Sequence, residues 1–556
     1  MATDWLTVTN GPCQGGRQDH RVGNMRAPGS ACMGASDAFT WRMERDPALR
    51  STIVAVDWLD RAPDWDALVA RVDRISRLMP SLRQRVVESP FGLTAPRWSY
   101  DPHFDLDWHL RRFAAPAPRT REAVLQFARR SAMDAFDRDR PLWELTLVDG
   151  IEDGAAALIV KLHHSLSDGV GGMRMLAIIA DPQRDPPDLG PLPPAPAGET
   201  LDRLALVTGA AGSMAGQLTG LALRGAEAAV PALIRSARSP LGLTGGTAAM
   251  ARSVYRTAAP SSGAMSPLMR DRSMTRHLAM MEISLDALKK AAKTADGTVN
   301  DAYLAIVTGG LRRYHERHGT TVKHLRAVIP ISLRTAQDTG WGNKITLMRL
   351  AVPVGEPDPA ARMRLLHRLT GAAREEPSLP VTGAIAGVLN MLPVGYVAGI
   401  LKHADVVASN VPGVPRPVYV AGSKVTGMFA FGPTIGTSLN TTLLSYAGTC
   451  DIAINIDTAA VPDPHVLLAC LQESAAEITA LGPVRPVREP DRDHGGGEQD
   501  AADHGGVEQH GDGEADAELL ELLQGQRAED REHGDHDDGG AGHHPGGGAD
   551  AVRDRL

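Results

Sequence analysis

The chain has 556 residues, of which 43% are hydrophobic, and this length predicts two or more globular domains. Its formal net charge of −8 is unevenly spread, because residues 491–556 carry a net charge of −14 and residues 1–490 carry +6. The weakly basic body has no cluster of Lys and Arg interleaved with aromatic residues, which excludes a typical nucleic-acid-binding surface.

The two ends of the chain differ in composition from the rest. Residues 1–32 lack the basic and then apolar pattern of a secretion signal, and we expect a disordered N-terminal extension. Residues 483–556 are rich in Gly, His, Asp and Glu, and we expect a disordered acidic tail. The tail histidines are irregularly spaced, as in a solvated segment rather than a metal site: His494, His504, His510, His533, His536, His543 and His544.

The cysteines indicate the redox setting. None of the four lies in a paired or metal-ligand spacing: Cys13, Cys32, Cys450 and Cys470. We therefore expect reduced cysteines in a cytoplasmic setting, and no metal site.

Helix and strand patterns alternate through residues 33–180, which we assign to an N-terminal lobe. Apolar residues recur every three or four positions from 62 to 79, predicting an amphipathic helix that stops at Pro80. The other elements predicted here are strands near 97–98, 106–110, 143–148 and 155–162, and a helix over 120–136.

Residues 181–270 are predicted to form a linker. Seven prolines between 181 and 197 indicate a stiff extended segment, and an Ala/Gly-rich stretch over 204–234 indicates a surface or crossover helix.

Residues 271–482 repeat the alternation and are assigned to a C-terminal lobe. Helices are predicted over 285–294 and from about 300 to 315, and strands over 274–283, 328–334, 345–354, 404–409, 438–446 and 451–457. Helices and strands alternating in both halves predict an α/β architecture with two lobes of similar size joined by a crossover.

One apolar segment, residues 377–401, has no charged residue over 25 positions, close to the length that spans a bilayer. Asn390 and several Gly and Pro residues interrupt it. We favour two short helices, broken near residues 391–393 and buried or facing lipid, over a transmembrane helix.

The sequence His163-His164-Ser165-Leu166-Ser167-Asp168-Gly169 follows the apolar run 155–160 directly. Imidazole has an unperturbed pKa near neutrality, so a histidine at a strand end can take a proton from a hydroxyl or thiol. Side chains alternate across a strand, so only one of the two histidines faces a given side. One histidine is thus a candidate base, and its neighbour supports the backbone.

This motif resembles the HHxxxDG signature of acyltransferases related to chloramphenicol acetyltransferase and to peptide-synthetase condensation domains. Over residues 35–481 the chain is similar to the bacterial wax ester synthase/diacylglycerol acyltransferase family. The ordered motifs that carry this resemblance include Ser36-Asp37-Ala38-Phe39, Pro80-Ser81-Leu82-Arg83, Arg140-Pro141-Leu142-Trp143-Glu144, Asn300-Asp301, Pro330-Ile331-Ser332-Leu333-Arg334, Ser409-Asn410-Val411-Pro412-Gly413 and Leu439-Asn440-Thr441-Thr442.

The resemblance implies two chloramphenicol-acetyltransferase-like lobes with a tunnel between them. It implies transfer of an acyl group from acyl-CoA to diacylglycerol or to a long-chain alcohol. Acyl-CoA would be a co-substrate, and no cofactor would be needed. His164 would deprotonate the acceptor hydroxyl without a covalent acyl-enzyme, and His163 would mainly support the loop. Asp168 would hold loop geometry through an ion pair with an arginine, for which Arg334 is one candidate, or would polarise His164 as in a triad.

The resemblance also marks residues that shape the site. Gly169 would accommodate backbone near the tunnel or serve as an ordinary turn glycine. Asn300 and Asp301 would lie near the site, although a helix cap also accounts for them completely from the residues alone. Ser409, Asn410 and Asn440 would face the tunnel from the second lobe, with an oxyanion donor among them.

Because the acceptor is insoluble in water, we expect peripheral association with the inner face of the membrane or with lipid droplets, through residues 377–401. One alternative is an acyltransferase that uses acyl-carrier donors or polyol acceptors. Another is a non-catalytic protein that packages neutral lipid, for which the motif residues would be unnecessary.

Overall fold

The computed structural model describes residues 31–88, 95–185, 189–199, 263–332, 345–374, 390 and 394–481. The described residues exclude most of the predicted N-terminal extension, the predicted crossover helix, Arg334 and all of the predicted acidic tail.

Helices and strands alternate through the described residues. The helices are α1 (Ala35–Met43), α2 (Trp65–Leu78), α3 (Leu106–His109), α4 (Arg121–Met133), α5 (Gly169–Ile179), α6 (Leu285–Lys293), α7 (Val299–Arg317), α8 (Pro359–Arg374), α9 (Val394–Leu401) and α10 (Pro464–Thr479). The strands are β1 (Ala31–Cys32), β2 (Thr52–Leu59), β3 (Gln84–Val87), β4 (Arg97–Tyr100), β5 (Leu110–Ala114), β6 (Trp143–Asp149), β7 (Ala156–His163), β8 (Arg276–Ser284), β9 (His324–Ser332), β10 (Ile345–Pro353), β11 (Val406–Val411), β12 (Tyr419–Val420), β13 (Ser423–Phe431), β14 (Leu439–Tyr446) and β15 (Thr449–Asp457).

Local sequence explains where the amphipathic helix α2 begins. The side chain of Asp64 accepts a hydrogen bond from the Ala67 amide and caps the first turn. Leu68, Val72 and Ile75 recur on one face and are buried in the core of the N-terminal lobe. The helix predicted over 62–79 is therefore confirmed.

Two six-stranded sheets form the centres of the two lobes. The first has the strand order β12-β13-β2-β7-β6-β5, and the second has the order β10-β9-β11-β14-β15-β8. Helices pack against both sheets, so the predicted two-lobed α/β architecture is confirmed.

Strand β13 is exchanged between the two lobes, a feature that the sequence pattern does not predict. It follows β11 in the chain, yet it pairs with β2 of the first sheet, with Met428 opposite Asp57 and Phe431 opposite Val54. The chain then crosses back to form β14 in the second sheet. The lobes are thus joined by shared β-structure, and the predicted boundaries 33–180 and 271–482 describe the sheets only in part.

The start of the predicted linker is held by arginines of α2. Arg71 forms an ion pair with the buried Asp181. Arg74 donates to the backbone carbonyls of Leu189, Gly190 and Pro191. An extended Pro-rich segment has few internal hydrogen bonds, and these side chains supply donors for its carbonyls.

The last two residues of the predicted N-terminal extension form a short strand. Ala31 and Cys32, which we placed in the disordered extension, pair as β1 with Trp98 and Arg97 of β4.

The apolar segment 377–401 is described only at Asn390 and in α9. No helix among the described residues is both long and apolar enough to cross a membrane.

The expectation of reduced cysteines is only partly met. Cys450 and Cys470 are buried free thiols. Cys32 is disulfide-bonded, so for this residue the prediction is wrong. Spacing along the chain does not show which cysteines come within bonding distance after folding.

Candidate active site

The paired histidines lie at the end of β7, a strand held on both sides. β7 pairs with β2 and with β6 in antiparallel register. At its end the His163 amide donates to the Leu142 carbonyl at 3.0 Å, and the His164 amide donates to the Ser51 carbonyl at 2.9 Å. Hydrogen bonds to Leu142 on one side and to Ser51 on the other therefore fix the backbone from which the two imidazoles project.

The His163 ring is completely buried. It contacts the rings of Trp41 and Phe136 edge-on, with centroids 5.9 and 6.1 Å away. Its Nδ1 atom accepts a hydrogen bond from the Ser165 amide at 3.1 Å, so the proton of the neutral ring is on Nε2. Nε2 lies 3.3 Å from the carboxylate of Glu44. These contacts hold the His163 ring in the interior, and its supporting role stays a prediction.

His164 projects from the opposite side of the chain and is half-buried. Desolvation lowers the pKa of His164 below the ordinary value of 6.5, and the neighbouring His163 acts in the same direction. Asp168 acts in the opposite direction. The lowered pKa favours the neutral ring, the form that can accept a proton as a general base must.

Asp168 caps helix α5. Its Oδ1 accepts a hydrogen bond from the Gly171 amide at 2.8 Å, and its carboxylate is buried. This contact ties the loop after His164 to the start of the helix. The predicted partner, Arg334, lies outside the described residues, so the ion pair stays a prediction.

Gly169 touches the second lobe. A Cβ atom placed on it would lie 2.8 Å from Cγ2 and 3.2 Å from Cγ1 of Val411, at the end of β11. Cβ atoms essentially never approach other atoms this closely, so glycine lets the motif loop rest against β11.

Strand β11 separates from its neighbour at the same place. It pairs with β14 along all six residues, but with β9 only at Val406 and Val407. Ser409 and Asn410 follow this divergence, and their side chains are half-buried and exposed, respectively. The second sheet therefore opens beside the motif loop, at the residues that the resemblance marks.

The structure divides the pair Asn300 and Asp301. Asn410 Nδ2 lies 3.5 Å from Asn300 Oδ1, so Asn300 joins the opening of the second sheet. Asp301 is buried, forms a capping box with Thr298 and contacts Nδ1 of His367 on α8 at 2.8 Å. Asn300 thus lies beside Asn410 at the end of β11, whereas Asp301 holds the start of α7.

Asn440 lies where the chain crosses between the sheets. Its Nδ2 donates to the Pro433 carbonyl at 2.7 Å, and its Oδ1 accepts from the Thr442 hydroxyl at 3.1 Å. Asn455, opposite Asn440 in the sheet, donates to the Gly432 carbonyl at 2.9 Å. These bonds hold the crossing segment, which makes Asn440 a weaker candidate for an oxyanion donor than Asn410.

Glu44 and Ser51 support the site but were not singled out from the sequence, because they lie far from the motif along the chain and belong to no local pattern with chemical meaning. Val411 was noted only as a member of the motif 409–413, which does not reveal its contact with Gly169. In the described part of the chain, no group of three His, Cys, Asp or Glu residues is arranged to hold a metal ion. The absence of a cofactor remains a prediction.

Two family profiles match the chain. The wax ester synthase/diacylglycerol acyltransferase catalytic domain matches residues 33–303, and the C-terminal domain of the same family matches residues 341–479. A protein of Mycobacterium tuberculosis H37Rv, provisionally named a diacylglycerol O-acyltransferase, is 38% identical over 81% of this chain and 92% of its own. A second such protein from that strain is 31% identical over 72% of this chain and 87% of its own.

Solved structures share the fold. A wax ester synthase/diacylglycerol acyltransferase from Marinobacter aquaeolei VT8 aligns with a TM-score of 0.53 at 21% identity, over 81% of this chain and 99% of that one. The first condensation domain of the calcium-dependent antibiotic synthetase aligns with a TM-score of 0.54 at 15% identity, over 82% of this chain and 96% of that one.

Proposed function

Because the chain belongs to the wax ester synthase/diacylglycerol acyltransferase family, it is an acyltransferase, and we propose that His164 is its general base. The donor is acyl-CoA and the acceptor is diacylglycerol, which yields triacylglycerol, or a long-chain alcohol, which yields a wax ester. The assignment of the base rests on the position of His164, which is half-buried in the loop that lies beside the opening of the second sheet. The lowered pKa of His164 supports the same role.

The proposed reaction is direct transfer. His164 removes the proton from the acceptor hydroxyl while the oxygen attacks the thioester carbonyl, giving a tetrahedral oxyanion. As the oxyanion collapses, the carbon–sulfur bond breaks and the His164 imidazolium protonates the CoA thiolate. The new ester bond and free CoA leave the enzyme unmodified, so no nucleophilic Ser or Cys is needed.

Asn410 is our candidate donor to the oxyanion. Its side chain is exposed at the opening, whereas the Asn440 amide is engaged with Pro433 and Thr442. Asn300, next to Asn410, would orient its amide group. Side chains alternate along β11, so Ser409 and Val411 share one face of the strand and Asn410 is on the opposite face.

The test of this function is thiol release from palmitoyl-CoA by purified protein, with dioleoylglycerol or hexadecanol as the acceptor. We expect acceptor-dependent release that falls at least about 100-fold in His164→Ala. The control is His103→Ala, because His103 is an exposed histidine of the same lobe. The acceptor with the higher kcat/KM is the preferred substrate.

If the wild-type protein releases no thiol above background with either acceptor, the acyl-CoA assignment fails. Acyl-carrier donors with polyol acceptors become the next hypothesis. If the protein binds neutral lipid and His164→Ala behaves like the wild type, a lipid-packaging role replaces catalysis.

We further propose that the protein works on membranes or lipid droplets from the cytoplasmic side, in contact through the region of α9. This helix has no charged residue, and Tyr396 on it is 49% exposed. Tyr396→Asp should weaken sedimentation with dioleoylglycerol-containing liposomes. Phe113→Asp is the matched control, because Phe113 is a similarly exposed aromatic residue on β5. Equal sedimentation of the two variants would exclude α9 as the contact.

A further inference from the structure

Glu44 directly follows α1, and its carboxylate is almost completely buried. Its Oε2 atom lies 3.3 Å from Nε2 of His163 and accepts a hydrogen bond from the Ser51 amide at 3.0 Å. The Nε atom of Arg50 is 3.9 Å from the other carboxylate oxygen. A buried carboxylate is costly unless it is paired, so its presence behind the motif calls for a role.

The first route from Glu44 to the candidate base runs through the His163 ring. Because Nδ1 of His163 accepts from the Ser165 amide, the proton of the neutral ring is on Nε2, the nitrogen that lies 3.3 Å from Oε2 of Glu44. Nε2 of His163 is buried without a hydrogen-bond partner of good geometry among the described residues, so its interaction with the carboxylate, 3.3 Å away at Oε2, is electrostatic. The carboxylate thereby favours one tautomer and one ring orientation.

The second route runs through the backbone. Ser51 donates its amide hydrogen to Glu44 and accepts, on its carbonyl, the amide hydrogen of His164. A single carboxylate therefore contacts the ring of His163 and, through one residue, Ser51, restrains the backbone of His164. Small displacements of a base relative to its substrate are costly, because proton transfer requires hydrogen-bond distance.

We propose that Glu44 is a positioning residue for acyl transfer, which holds His163 and the backbone of His164 so that the His164 imidazole meets the acceptor hydroxyl. The inference rests on the function proposed above. Glu44 does not touch substrate in this account, and its effect should therefore appear in kcat rather than in KM.

The experiment compares Glu44→Gln, Glu44→Ala and Glu88→Gln in the thiol-release assay. Gln can still accept from the Ser51 amide but carries no charge towards His163, whereas Ala removes both contacts. We expect kcat to fall about 10-fold in Glu44→Gln and about 100-fold in Glu44→Ala, with KM for both substrates within about twofold of the wild type. Glu88 binds Trp41 and Arg45 near α1 but not His163, so Glu88→Gln should keep wild-type kcat.

A double-mutant cycle separates positioning from general loss of structure. In a His163→Asn background, Glu44→Gln should lower kcat by less than about twofold, because the contact it acts through is already absent. Additive effects of the two substitutions, or wild-type kcat in Glu44→Ala, would overturn the proposal. So would a loss of activity that matches the loss of folded protein measured by thermal unfolding. An inactive wild-type protein would contradict the proposed function instead, so the two failures are distinguishable.

Discussion

Gly169 and Val411 meet across the two lobes at a distance that only glycine permits. The nearest Val411 methyl carbon is 2.8 Å from the position that a Cβ of residue 169 would occupy. Gly169 begins α5 rather than forming an isolated turn, so close packing explains this glycine better than backbone flexibility does. The contact joins the loop that carries His164 to the strand that carries Asn410.

Gly169→Ala should therefore displace the motif loop from β11. We expect a loss of stability of about 1–3 kcal/mol from overpacking and a fall in kcat of about 10-fold. Val411→Ala removes the two methyl groups that the new Cβ would strike, so the double variant should recover most of the lost kcat. Urea unfolding and thiol release measure the two effects, and no recovery in the double variant would contradict the steric explanation.

The lowered pKa of His164 predicts the pH dependence of activity. The base must be neutral, so kcat/KM should be constant above neutrality and fall below pH 6.5 as the ring binds a proton. Initial rates between about pH 5 and pH 9 test this. Asp57 and Asp451 also titrate near pH 7, so the profile should be repeated with each replaced by Asn. If the fall in kcat/KM at low pH disappears in either variant, that carboxyl group and not His164 is responsible for it.

The neighbours Asn300 and Asp301 should give different defects. Asn300→Ala removes an amide at the opening and should lower kcat/KM about 10-fold with unchanged unfolding. Asp301→Ala removes the capping box and the contact with His367, and should cost about 1–3 kcal/mol of stability while the folded enzyme keeps its kcat. Thermal unfolding and thiol release on the same samples distinguish them, and the reverse pattern would refute this division.

Two buried carboxyls make the stability of the lobes depend on pH. Burial and the charge of Asp451 raise the pKa of Asp57 to about 7, and burial and Glu282 raise the pKa of Asp451 to about 7. The unfolded chain loses these protons near pH 4, so the stabilisation is complete below that pH and is lost as pH rises through about 7.

Asp57→Asn should accordingly raise the melting temperature at pH 8 by on the order of 3 °C relative to the wild type. Little change is expected below about pH 4, where Asp57 is protonated in both states. Calorimetry at several pH values measures this. Asp286→Asn is the control, because Asp286 is an exposed carboxylate paired with Lys290 on the surface of α6. A pH dependence in Asp57→Asn identical to that of the wild type would show that Asp57 is ionised in the folded protein.

Local sequence predicted the elements well where the pattern was regular. The apolar spacing from 62 to 79 gave helix α2 within three residues at each end, and the apolar run before His163 gave strand β7. Strand β13 was missed although half of it is aromatic or aliphatic. Its pairing partner β2 lies more than 350 residues earlier, so no local spacing marks the exchange of this strand between the sheets.

The sequence by itself determined the fold class and the family resemblance, because a strand-end histidine pair and an ordered series of motifs are local properties of the chain. The resemblance in turn supplied the prediction that His164 is the base. Only the tertiary structure decided that Asn300 lies beside Asn410 while Asp301 holds the start of a helix, and that Glu44 and Val411 contact the motif. These roles depend on contacts between residues distant in sequence, in which strand exchange and side-chain burial select the partners. No periodicity or spacing along the chain encodes that selection.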